Sequence, residues 1–192
     1  MNKSKILFVS LLIGLFSCQE ETIPCLISTE LGDIEVELYP ERAPITVENF
    51  LAYVELGAYN GSSFFRVCTP ENEADREIKI EVIQGGNVPE ELELPPITLE
   101  TTEMTRLSHI DGVLSMARAE PNSATSSFFI CIGDQPELDF GGKRNPDGQG
   151  FAAFGKVTSG MDVVREIQRQ KEVGQYLVDS VRIGSIVVRV ED

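Results

Sequence analysis

The sequence predicts a mainly β domain, a sandwich or barrel with two helices, on three observations. Short apolar stretches alternate with period two and recur at close spacing. Only two stretches carry the 3.6-residue period of an amphipathic helix, and no internal repeat or low-complexity tract interrupts the pattern. With 192 residues, 42% hydrophobic and 24% charged, the chain has the size of one domain with at most a tail. Roughly 70% of the unfolded surface is buried at this length, so a core needs neither disulfides nor metal.

The N-terminus reads as an address. Lys3 and Lys5 precede an apolar run, Ile6 to Phe16, which matches a secretory signal and is too short to span a ~30 Å hydrocarbon core. The run ends in Leu15-Phe16-Ser17-Cys18, similar to the bacterial lipobox, in which the Cys receives a diacylglycerol. The expected organisation is a lipoprotein signal peptide over residues 1–17, an acidic tether over 18–25 and one folded domain over 26–192. Lipidation of Cys18 would leave Cys25, Cys68 and Cys131. One pair with a free thiol and three reduced thiols both fit an oxidising envelope.

Ile34, Val36 and Leu38 alternate with Glu35, Glu37 and Tyr39 as a half-buried strand. Pro44 and Thr46, the latter as N-cap, open a helix whose apolar face is Val47, Phe50, Leu51 and Val54, ended by Gly57. Further strands are expected at Phe64–Val67, over Ile78, Ile80 and Val82, and at Gly112–Ala117, Ser127–Ile132, Phe151–Val157 and Val181–Val190. A second helix starts after Ser159-Gly160 and carries Met161, Val164 and Ile167.

The charge narrows the function classes. Thirty-one acidic residues against 16 basic give −15, a field that repels phosphate backbones, so no nucleic-acid partner is expected. A single His and no Cys-x-x-Cys pair argue against a zinc site. There is no phosphate-binding loop and no nucleophile elbow. His109, in Ser-His-Ile-Asp-Gly, is expected to be a structural hydrogen bonder and not a base. Covalent, metal and phosphate chemistry all lack their residues, and no cofactor is expected.

Six ordered motifs remain. Phe64-Phe65-Arg66-Val67, Val82-Ile83-Gln84-Gly85-Gly86 and Leu114-Ser115-Met116-Ala117-Arg118 come first. Ser126-Ser127-Phe128-Phe129-Ile130, Leu138-Asp139 and Phe151-Ala152-Ala153-Phe154-Gly155-Lys156-Val157 follow. Together they resemble the successive signatures of cyclophilin-type peptidyl-prolyl isomerases, over about residues 26–190. The resemblance implies a closed eight-stranded antiparallel β-barrel capped by two α-helices. It also implies rotation about X-Pro bonds, whose barrier is about 18–20 kcal/mol, without nucleophile or proton transfer. Arg66 then donates to the proline nitrogen as the imide twists, and Gln84 contacts the substrate backbone and supports the arginine. Met116, Phe129 and Leu138 form the wall for the proline ring, with Phe151, Phe65 and Ala117 completing the substrate contacts.

Several positions depart from the family pattern. Thr69 to Lys79 is an insertion, Glu81 stands where an aromatic wall residue is expected, Ser127 replaces a glutamine, and Glu137 stands where some relatives carry Trp. The expected partners are proline-containing peptides and unfolded proteins, with the membrane reached through the lipid and the chain monomeric. The expected location is the bacterial cell envelope. A weak or inactive proline-peptide-binding module of the same fold is the competing reading. The acids of residues 71–103 are expected to favour cationic peptides at low salt.

Overall fold

The computed structural model describes residues 20–189. Its strands are β1 (Ile23–Thr29), β2 (Gly32–Leu38), β3 (Ser63–Cys68), β4 (Val82–Gly85), β5 (Val113–Met116), β6 (Phe128–Cys131), β7 (Ala152–Ser159), β8 (Glu172–Val173) and β9 (Tyr176–Val188). The helices are α1 (Pro44–Glu55), α2 (Thr102–Thr105) and α3 (Met161–Gln168). Strands run in the order β1-β2-β7-β5-β6-β4-β3-β9, and β9 returns to pair with β1, closing an eight-stranded antiparallel barrel. The two-residue β8 pairs with the start of β9 as a short hairpin. The four-residue α2 is a third helix beyond the two expected from the sequence.

Alternation along the strands separates two apolar environments. Phe64, Ile83, Leu114, Met116, Phe128, Ile130 and Phe154 point into the barrel and are buried there. Phe50 from α1 enters the same interior, its ring 5.2–5.4 Å from those of Tyr59, Phe128 and Phe154. Val164 and Ile167 of α3 join this core. Cys68, Ile80, Val82, Phe129, Cys131, Leu138 and Phe151 form a second cluster on the outer face. The adjacent Phe128 and Phe129 thus serve different purposes, one in each environment.

Four local expectations change. β1 begins at Ile23, so the last residues assigned to the tether are strand, and Cys25 is buried opposite Val36 and Val188. Ile78 and Ile80 precede β4 instead of lying in it, because residues 69–79 fold as a turn-rich excursion. β9 starts at Tyr176, five residues before the expected strand at Val181. Thr46 is not the N-cap: α1 starts at Pro44, and its first-turn donors are met by a distant side chain. The buried Glu100 carboxylate accepts the N–H groups of Ile45 and Thr46 at 3.2 and 2.8 Å and the Thr46 hydroxyl at 2.6 Å. A carboxylate there also meets the positive end of the helix dipole.

Cys25, Cys68 and Cys131 are separate buried thiols. Cys68 and Cys131 face Val82 from either side across β3, β4 and β6, two strand spacings or about 10 Å apart, beyond disulfide reach. Burial pushes the Cys25 thiol up to about 12 and the Cys68 thiol up to about 11. Cys18, the expected lipidation site, lies outside the described residues, as does the signal segment.

Candidate active site

The outer-face cluster opens into a cavity of about 230 Å³. Its frame is a row across neighbouring strands: Arg66 on β3 stands opposite Gln84 on β4, and Gln84 opposite Phe129 on β6. Residues in register share a face, so a cation, an amide and an aromatic ring are presented together. A bulge between Phe64 and Arg66 makes this row. It lets Phe64 and Val67 both point inward while Arg66 and Cys68 stay outside. Bulges often re-aim a side chain beside a functional site. Gly85 and Gly86 then leave no room for side chains. A Cβ at Gly85 would lie 2.7 Å from the Phe64 ring, and one at Gly86, where φ is +77°, 2.6 Å from Phe128.

Arg66 is held on two sides. Its Nη1 donates to Gln84 Oε1 at 2.8 Å, while Nε and Nη2 donate to Gln175 Oε1 at 3.1 and 2.6 Å. These are three of the five donors on a guanidinium, and two remain for a ligand. Gln175 sits in the hairpin turn between β8 and β9, where Gly174 and Gln175 both have positive φ, 58° and 78°. That is the backbone of a two-residue type I′ turn. Gln175 Nε2 donates to Glu73 Oε1 at 3.1 Å.

Glu73, in the insertion, has a fully buried side chain. Its carboxylate pairs with both terminal nitrogens of Arg144 and accepts the Ile80 N–H at 2.9 Å. Burial by itself raises this carboxyl. The hydrogen bonds from Arg144 and the Ile80 N–H, with the charges of Arg144 and Arg76, outweigh it and hold the group below its ordinary value. The insertion therefore does structural work at the site. It seats Ile80, which with Val82 lines the cavity beside Phe129, Leu138 and Phe151. The wall position at which Glu81 stands in place of the expected aromatic is filled by Ile80 and Val82.

Arg66, Gln84, Ala117, Phe129, Leu138 and Phe151 all line this cavity. Two expected contacts do not. Met116 is 1% exposed in the barrel interior, because its place in β5 points it inward. Phe65, at the bulge, is half-buried outside the cavity lining. Arg118 was not expected there. Its Nε donates to the Gly150 carbonyl at 2.8 Å, its terminal nitrogens bind Asp147 at 2.8 Å each, and its guanidinium lies 5.2 Å from the Phe151 ring centre. The Arg118 hydrogen bonds hold the Asp147 carboxyl below its ordinary value.

His109 is 1% exposed beneath the site, stacked on Phe129 at 6.0 Å. Its Nδ1 is 2.7 Å from Asp139 Oδ1 and its Nε2 2.9 Å from the Ser115 hydroxyl. With both ring nitrogens occupied and the ring covered, it positions Phe129 and does not reach the cavity. Nothing in the row is a nucleophile. A bound imide would meet an arginine with spare donors, a glutamine and an apolar wall.

Residues 25–188 match the family described as "Cyclophilin type peptidyl-prolyl cis-trans isomerase/CLD". The chain belongs to the cyclophilin family. It is 41% identical over 144 residues to a peptidyl-prolyl cis-trans isomerase of Acinetobacter baylyi, covering 72% of this chain and 68% of that one. It is 37% identical over 158 residues to peptidyl-prolyl cis-trans isomerase A of Dickeya dadantii, covering 79% and 75%. A crystal structure of a Cryptosporidium parvum cyclophilin shares the fold, with a TM-score of 0.72 at 22% identity over 90% of this chain and all of that one. The same protein in the presence of the dipeptide Ala-Pro superposes with a TM-score of 0.69 at 23% identity, over 88% of this chain and 99% of that one. As a cyclophilin, the chain is a peptidyl-prolyl cis-trans isomerase.

Proposed function

We propose that this cyclophilin isomerises X-Pro bonds of incompletely folded proteins in the bacterial cell envelope, acting as a monomer held to a membrane by lipid on Cys18. The observation that carries the catalytic reading is Arg66, fixed by Gln84 and Gln175 with two donors uncommitted beside an apolar pocket. The proline ring enters the wall of Phe129, Leu138 and Phe151, and burial removes water from the imide. Twisting the C–N bond breaks its resonance and leaves a lone pair on the proline nitrogen. An Arg66 N–H directed at that lone pair is worth more in the twisted state than in either planar isomer, so it lowers the barrier. Gln84 keeps the guanidinium in place and offers its amide to the substrate backbone. The wall completed by Ile80 and Val82 favours catalysis over a passive binding role.

Exchange spectroscopy by NMR on a short X-Pro peptide tests the catalytic part. Wild-type protein at low ratio to peptide is expected to merge the cis and trans signals, and no acceleration would overturn the assignment. The envelope location is supported by the charged and apolar leader and by Cys18 at its end. Fatty-acid labelling of cells expressing the full chain tests it, with Cys18→Ser expected to abolish the label and release the protein from the membrane fraction. An unlabelled wild type would overturn the anchor.

A further inference from the structure

The cleft is cationic in a protein of net charge −15. Among the described residues four arginines line it, Arg66, Arg76, Arg118 and Arg144, and no carboxylate does. Two are neutralised from behind, Arg144 by the buried Glu73 and Arg118 by Asp147. The other two are not. Arg66 is held by neutral amides. Arg76 has a side chain 55% exposed and only a long 3.5 Å approach to Glu73, whose carboxylate is already shared with Arg144, Gln175 and the Ile80 N–H. A further donor points the same way. Asn145 lines the cleft, and its side-chain Nδ2 is buried with no hydrogen-bond partner among the described residues, a costly arrangement unless an acceptor arrives.

We propose that Arg76 and Asn145 form an anion-accepting subsite of the isomerase cleft, so that the preferred substrates carry a carboxylate on a residue next to the proline. The proposal rests on the isomerase reading and adds the substrate class. It reverses the preference expected from the acids of residues 71–103, none of which lines the cleft. In the insertion the exposed Glu71, Asp75 and Glu77 are outside the cleft lining, while Glu73, behind Arg144, is buried and paired. The arginines line the cleft and these acids do not, so a bound peptide's side chains meet the arginines directly. The flanking carboxylate would take the exposed guanidinium of Arg76 and give Asn145 Nδ2 the acceptor it lacks.

The test is a matched set of short peptides with Glu, Gln or Lys immediately before or after proline, assayed for isomerisation by NMR exchange and for binding by titration. In at least one of the two positions the Glu peptide is expected to exceed the Lys peptide in kcat/KM. The gain is about two- to fivefold for one exposed ion pair and is carried by KM. The ratio should fall toward one in high salt and in Arg76→Gln, and return in Arg76→Lys. Equal rates for Glu and Lys in both positions, faster Lys peptides, or a ratio indifferent to Arg76→Gln would overturn the proposal. If no peptide were turned over, the isomerase reading would fail by itself, and the ratio of the Kd values would still decide the charge preference.

Discussion

Arg66 commits three N–H groups to two glutamines, and its usefulness depends on that restraint. A free arginine samples many rotamers, whereas a transition-state donor must already be aimed. Arg66→Ala is therefore expected to lower kcat/KM by about 10²–10³-fold, the cost of losing one preorganised donor, while the circular dichroism spectrum stays unchanged. Gln175→Ala leaves the donor but frees it, so kcat should fall about tenfold, as for a lost hydrogen bond to a charged group. KM should move little, because the proline wall is intact; a kcat equal to wild type would remove Gln175 from the positioning machinery. Arg66 and Gln84 were legible through the resemblance, since the motifs that hold them match the family's in order. Gln175 was not. Its only signal is Gly174 before it, a hairpin cue that gives a turn but not where the following side chain points. Met116 was misplaced for a related reason: belonging to a motif does not say which face of the strand a residue occupies.

At the scale of single elements, α1 depends on a residue 55 positions away, since Glu100 rather than a local side chain caps it. Glu100→Gln removes charge at the positive end of the helix and one acceptor oxygen. It is expected to destabilise the fold by about 1 kcal/mol, read as a lower denaturant midpoint with unchanged slope. An unchanged midpoint would show that the cap carries no net stability. The sequence located α1 because its apolar period is strong, although its N-cap is three residues earlier than expected, at Ala43. The cap was invisible, because a carboxylate arriving from another segment leaves no mark near the helix. The excursion at residues 69–79 taught the same lesson. Its composition reads as a solvated acidic loop, yet Glu73 is buried in it, and only the positions of Arg144 and the Ile80 N–H explain why. The Ile78–Ile80–Val82 alternation suggested a strand, but the carboxylate of Glu73 takes the Ile80 donor that a neighbouring strand would have used.

For the whole molecule, the buried Glu73 links stability to pH. Its carboxyl is held below the ordinary 4.5 in the folded state, so its contribution is fully present above that value and is lost as pH falls through the folded value. Wild-type protein should lose stability below about pH 4.5. Glu73→Gln should be less stable at pH 7 by about 3 kcal/mol, because Arg144 is left buried and unpaired, and should show a shallower acid decline. Parallel pH profiles would assign the acid sensitivity elsewhere. Alternation marked the strands and the resemblance implied a closed barrel, whereas the strand order is seen only in the fold, because periodicity says nothing about which strands pair. That order has a consequence for how the protein is made. β1 meets β9 with Cys25 opposite Val188, and Arg189 N–H donates to the Pro24 carbonyl at 2.8 Å. The seam therefore joins segments from opposite ends of the domain. A chain emerging N-terminus first cannot close it until β9 has been delivered, and until then β1 has one open edge. Closure of the barrel is thereby a late event in synthesis, since the first strand made waits for the last.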